Sequence, residues 1–164
     1  MSAMTRDWDP LPHAPIETIF GLLEHLRDTA AGREDLYKLG GPLGYELDDL
    51  LPVTEAAKQL GLVTIASGDI ELTSEGRVVA GAEAPERKER LRRRLFDLPL
   101  LRRIREALQA ADGGRVPKAD FVELLEEHFS PTEAARQLGT ALDWARYGEI
   151  FDHDPDTEEF VLSS

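Results

Sequence analysis

Between residues 46 and 60 the apolar side chains are Leu47, Leu50, Leu51, Val53, Ala56, Ala57 and Leu60. Steps of three and four put them on one helical face. Pro52 falls inside this pattern, so the helix is expected to kink or restart there, because proline has no amide to donate and crowds the preceding turn. Gly61 suits the helix C-cap. The period then shortens. Val63 and Ile65 alternate with polar or small residues, Ser67-Gly68-Asp69 carries hairpin-turn chemistry, and Ile70 and Leu72 give the return strand. Thr73, with Glu75 close behind, is placed to N-cap a further helix. A helix followed at once by a small hairpin is how a winged helix-turn-helix ends, and the stretch 44–76 organises the rest of the chain around it.

Upstream, 1–15 holds Pro10, Pro12 and Pro15 among polar residues and reads as a flexible N-terminal arm. Ile16, Ile19, Phe20, Leu23 and Leu26 predict a helix over 16–29, with His25 beside the stripe as a surface or half-buried residue. A short second helix is expected over 34–39, stopped by Gly40-Gly41-Pro42. Downstream, Leu91, Leu95, Leu98, Leu101, Ile104 and Leu108 mark amphipathic helix over 83–111, divided at Pro99. Asp112-Gly113-Gly114 is a loop and an internal boundary. Pro117 is expected to open a helix bearing Phe121, Val122, Leu124, Leu125 and Phe129. Ser130-Pro131-Thr132-Glu133 forms a capping box for a helix running to Tyr147, with Gly148 as terminator. Residues 149–151 and 160–162, about a turn at Asp154-Pro155-Asp156-Thr157, close the chain as a hairpin.

The expected fold is therefore mainly α with small β-hairpins, an α+β arrangement of tandem winged-helix-like units joined by a basic helical segment. Its divisions are an arm at 1–15, a first unit at 16–82, basic linking helices at 83–112 and a second unit at 113–164. One octapeptide echoes across the units, TEAAKQLG at 54–61 and TEAARQLG at 132–139. The hairpin follows the first copy at once, whereas about two further helical turns follow the second, so the register fails across the wing.

Charge changes what these elements can do. The chain has 164 residues, a net charge of -13 and no cysteine, which excludes a disulfide framework, a thiol nucleophile and a cysteine metal site, and fits a reducing cytoplasm. An acidic balance opposes binding to nucleic acid or anionic lipid. No apolar run reaches membrane-spanning length, so no membrane insertion is expected, and the start lacks a basic-then-apolar signal. A DNA-reading helix should present arginine, asparagine or glutamine. The exposed face of 46–60 offers instead Glu46, Asp48, Asp49 and Glu55, with Lys58 and Gln59 only at its end. That is the wrong sign for a polyanion. Arginines concentrate elsewhere: Arg87, Arg90, Arg92, Arg93, Arg94, Arg102 and Arg103 are the candidate partner-binding residues. They suit an acidic partner surface better than a nucleic acid, since no aromatics interleave with them. The same segment, 83–111, is the candidate homodimer contact.

Catalytic and metal chemistry find no pattern. Asp152, Asp154, Asp156 and Glu158 alternate as in the opening of a calcium-binding loop, but Thr157 and Ser163 occupy the positions that need glycine and a bidentate glutamate. His13, His25, His128 and His153 have no metal-ligand spacing, and no nucleophile elbow is present. The reading is a non-enzyme without cofactor or metal.

Four stretches carry a resemblance: DDLLPVTEAAKQLGLV, GDIELTSEGR, PERKERLRRRLFDLPLLRRIREAL, and FVELLEEHFSPTEAARQLGTALDWARYGEIFDHDPDTEEFVL. Together they resemble the AAA-associated C-terminal domain that follows the ATP-binding cassette in nitrate/sulfonate/bicarbonate-type ABC transporter ATPases. The most specific part is DWARYGEIFDHDPDT. The resemblance implies a winged-helix-like regulatory or assembly element, with an ABC transporter ATP-binding subunit as partner and a cytoplasmic location peripheral to the membrane. The sequence departs from the fused form in lacking a GxxxxGKS/T phosphate loop, so ATP hydrolysis is expected of a separate cassette.

Overall fold

The computed structural model describes residues 10–29, 31–44 and 46–163. They form helices and two three-stranded antiparallel sheets, the mainly α class with small hairpins that the periodicities predict. Among the described residues the chain divides into two compact units, one of residues 12–91 and one of residues 10–11 and 92–163. Residues 1–9 of the expected arm lie outside the described residues.

The first unit runs α1 (Ile16–Thr29), β1 (Arg33–Asp35), a 3-10 turn (Leu36–Lys38), α2 (Gly40–Leu43), α3 (Leu47–Gln59), β2 (Val63–Ala66), β3 (Asp69–Leu72) and α4 (Ser74–Gly81). Its sheet has the order β1-β3-β2, with Ile65 opposite Ile70 and Glu34 opposite Ile70 on the other side. Ser67 and Gly68 both have positive φ, which is how a two-residue turn matches the twist of its strands. Helix α1 packs on α3 and α4, and Ile19, Leu22, Leu23 and Leu26 of α1, Leu50, Val53 and Ala57 of α3 and Val79 of α4 are all buried. Helix α3 ends in a Schellman motif: Gly61 has φ of 76°, its amide donates to Lys58 O, and Leu62 N donates to Ala57 O at 2.9 Å. Thr73 caps α4 as predicted, its hydroxyl accepting from Gly76 N at 2.9 Å and donating to Gly61 O at 2.8 Å.

Helix α5 (Ala84–Phe96) begins in the first unit and ends in the second. The second unit continues with α6 (Pro99–Ala110), β4 (Arg115–Pro117), α7 (Lys118–Glu126), α8 (Pro131–Tyr147), β5 (Phe151–Asp154) and β6 (Glu159–Leu162). Its sheet order is β4-β6-β5, the same relation as in the first. Phe160 centres the core, 5.4 Å from Phe121 and 5.6 Å from Phe151 between ring centroids, with Trp144 fully buried on α8. Ser130 caps α8 by accepting from Glu133 N at 3.1 Å, and Pro131 takes the first helical position.

Several elements differ from expectation. The helix expected over 34–39 is strand β1 followed by a 3-10 turn, because the backbone there joins β3: Leu36 N donates to Gly68 O and Leu72 N to Gly32 O, each at 2.8 Å. A three-residue edge strand is too short to show alternation. For the same reason β4 went unforeseen, and Pro117 ends this strand as the N-cap of α7 instead of opening the helix. Helix α3 does not restart at Pro52 but runs unbroken through it. The proline sits in the second turn, where it removes one helical bond while four buried residues after Leu50 hold the helix on the core.

Candidate partner-binding surface

The two basic helices divide their arginines between internal and outward work. Arg87 is 16% exposed at its side chain and lies against Glu24 at 3.1 Å. Its Nε donates to Val79 O at 3.0 Å and a terminal nitrogen to Ala80 O at 2.9 Å, so a cation meets the last carbonyls of α4, where the helix dipole favours it. Its guanidinium also stands 4.6 Å from the centre of the Phe20 ring. Arg90 bridges Glu86 and Glu75, each at 3.0 Å. The hydrogen bond that Arg90 donates to Glu86 is the main reason this guanidinium sits above its ordinary pKa; desolvation opposes it, and the charges of Glu75 and Glu86 add to it.

In the second unit, Arg92 and Arg105 stand 4.8 and 4.5 Å from the centre of the same ring, Phe96. Arg105 fastens the end of α5 to α6 through this ring, while Arg92 covers it from one turn back on α5 itself. Arg93, Arg102 and Arg103 are exposed and Arg94 is half-exposed. Of the seven arginines singled out from the sequence, these four reach the surface, Arg93 and Arg103 of them also having partners of their own, while Arg87, Arg90 and Arg92 are more enclosed and engaged within their own units.

The outer face of α3 has the opposite character. Glu46, Asp48, Asp49 and Glu55 are exposed, as read from the sequence, and none of them has an ion pair among the described residues. Between them Leu47 and Leu51 are each 41% exposed. The periodicity had put both leucines on the buried face. The buried stripe is instead Leu50, Val53, Ala57 and Leu60, and Leu51 lies about 100° round the helix from Leu50.

The acidic hairpin of the second unit is held by arginines. Arg115 reaches Asp154 at 3.0 Å and Glu159 at 3.3 Å, and Arg146 pairs with Asp152. These hydrogen bonds are the main reason both aspartates sit below the ordinary carboxylate pKa, with backbone amides adding to them. Among the described residues no group of three or more histidine or acidic side chains is placed to hold a metal. His25, read as a surface or half-buried residue, is 12% exposed at its side chain with Nε2 2.7 Å from Glu34. His153 lies 3.3 Å from Glu158 without hydrogen-bond geometry, its Nε2 buried and unpartnered. An open cleft of about 420 Å³ beside β5 is lined by Arg146, Glu149, Asp152 and Ser163 among others, and its chief cation and anion already satisfy each other.

One anchoring residue escaped sequence reading. Gln137 is 1% exposed, accepts from Leu11 N at 2.7 Å and donates to Leu11 O at 3.1 Å. A buried amide that satisfies both backbone groups of one residue imitates a strand neighbour. The signal available was a glutamine on the buried line of an amphipathic helix.

The family described as the C-terminal AAA-associated domain matches residues 37–154, well over half of the sequence. The chain belongs to this family. No curated protein and no solved structure matches it. Membership in the AAA-associated family implies association with an ATPase-type protein. The matched stretch contains α3, both basic helices and α8, so the acidic and cationic faces lie within the family domain. Among the described residues no helix is long and apolar enough to cross a membrane.

Proposed function

We propose that this AAA-associated domain is a non-catalytic regulatory and protein-interaction module for the ATP-binding subunit of an ABC importer of the nitrate/sulfonate/bicarbonate type. Its place is the cytoplasmic side, where such a cassette works. The observation that carries the reading is the family match over 37–154. The absence of a GxxxxGKS/T loop from the sequence supports assigning ATP turnover to the partner. Arg93, Arg94, Arg102 and Arg103 supply the contact, because they are the members of the arginine tract that face outward. Cationic groups at a rim steer an acidic partner and set its register more than they add to affinity.

The test is retention of the chain by the immobilised ATP-binding subunit, together with the subunit's ATPase rate with and without it. Retention that falls at least about tenfold in an Arg93→Glu/Arg102→Glu/Arg103→Glu variant is the expected result. An ATP-binding subunit that neither holds the chain nor changes its turnover would sink the reading. ATP with magnesium should leave the melting temperature of the isolated chain unmoved.

A second reading is supported by element order. Helix, strand, helix, helix, strand, strand occurs in α1–β3 and again in α6–β6, the order of a winged helix. A DNA-binding regulator would use the arginine tract, since four carboxylates on α3 oppose the usual recognition mode. A mobility shift of duplex DNA at low salt, lost in the triple glutamate variant, would favour it over the first.

A further inference from the structure

The chain carries both halves of a docking pair. On one side, the outer face of α3 presents Leu47 and Leu51 one turn apart, each 41% exposed, flanked by Glu46, Asp48, Asp49 and Glu55. Those carboxylates make no ion pair among the described residues. On the other, α5 and α6 turn Arg93, Arg94, Arg102 and Arg103 outward. A solvated helix has no need of two exposed leucines, and an apolar pair ringed by carboxylates fits aliphatic stems that end in guanidiniums. We infer that the outer face of α3 in one molecule docks on the arginine face of α5 and α6 in a second copy. The inference rests on the reading above that these arginines form the contact surface, and it names a second occupant for them.

The contact is heterologous, each copy offering a different face. Two molecules of charge -13 repel at long range, but at physiological salt charges farther apart than about 8 Å are largely screened. Pairs in direct contact keep most of their attraction, and burial of the two leucines adds to it. The same surface cannot hold a second copy and an ATP-binding subunit at once, so the two compete.

Sedimentation equilibrium of the purified chain at about 150 mM salt tests this without any ATPase present, so its failure and that of the proposed function are told apart. Wild type should self-associate. Asp48→Lys/Asp49→Lys/Glu55→Lys and Arg93→Glu/Arg102→Glu/Arg103→Glu should each weaken self-association by about tenfold or more. Mixing the two reversed chains should restore a one-to-one complex, since the unaltered α3 face of one then meets the unaltered arginine face of the other, and the lysine face meets the glutamate face. Both reversed chains stay net negative, so net charge cannot produce that gain. All six positions are exposed, and unchanged circular dichroism confirms folding. Leu47→Ser/Leu51→Ser, which alters no charge, should weaken association too. A monomeric wild type, self-association indifferent to either reversal, or reversed chains that fail to pair on mixing would each overturn the inference. So would an α3 face that becomes protected only on adding the ATP-binding subunit.

Discussion

The octapeptide shared by the two units makes a sharp experiment, because its final glycine does opposite things. Gly61 ends α3 with φ of 76°, whereas Gly139 lies inside α8, where an added Cβ would meet nothing within 4 Å. Alanine at 61 must adopt the left-handed conformation, costing about 1–2 kcal/mol. Part of that is offset by the stiffer unfolded chain, about 0.4–1 kcal/mol. The net expectation for Gly61→Ala is a loss of about 1 kcal/mol. Alanine at 139 keeps a helical backbone and removes the entropic cost of a helical glycine, a gain of about 1 kcal/mol. Urea unfolding followed by circular dichroism should therefore move the midpoint in opposite directions at unchanged m-value. In a thermal melt the two variants should separate by roughly 4–8 °C, at about 2–4 °C per kcal/mol for a chain of this size. Shifts of the same sign at both sites would refute the reasoning, for they would mean that the echo marks equivalent positions after all.

Other outcomes follow from single contacts. Gly76→Ala should lose at least about 3 kcal/mol in the same assay, because its Cβ would stand 1.9 Å from the Leu62 carbonyl oxygen and α4 would have to move off the hairpin, breaking the Thr73 bonds. Gln137→Leu should cost about 2–5 kcal/mol by leaving both backbone groups of Leu11 buried and unpaired, and amide exchange at Leu11 should rise steeply while β3 is unaffected. The depressed pKa of Asp154 contributes stability that is present above its ordinary value and is lost as pH falls through the folded one. Between about pH 5 and pH 2, Arg115→Gln should therefore lose less stability than wild type, and a parallel decline would refute the pairing. Arg87→Ala should destabilise the first unit, with exchange rising at α4, whereas Arg102→Ala should leave stability within about 0.5 kcal/mol.

The elements legible in the sequence are those set by neighbours along the chain. Ser67-Gly68 makes its turn from its own backbone preferences, Ser130 caps α8 through an amide three residues on, and the stripe from Ile16 to Leu26 needs only a helix to line up. The break at Pro99 that divides the basic helices is local in the same way. Net charge and the carboxylates of α3 were equally readable, since exposed charge needs no partner. The arginine tract could be located but not sorted. Arg87 and Arg102 look alike as letters, yet one caps α4 and the other faces solvent.

What only the tertiary structure decided depends on groups far apart in the sequence. Strands β1 and β4 exist because β3 and β6 offer them hydrogen bonds, not because three residues prefer extension. Gln137 finds Leu11 across 126 positions, and Arg115 meets Glu159 across 44. The two copies of one octapeptide part company because residues after Gly61 alternate and pair as a hairpin, while Ala141, Trp144 and Ala145 keep α8 on its core. Short-range preferences propose a conformation at each site; burial and long-range hydrogen bonding choose among the proposals, since only they outweigh a local difference of about 1 kcal/mol.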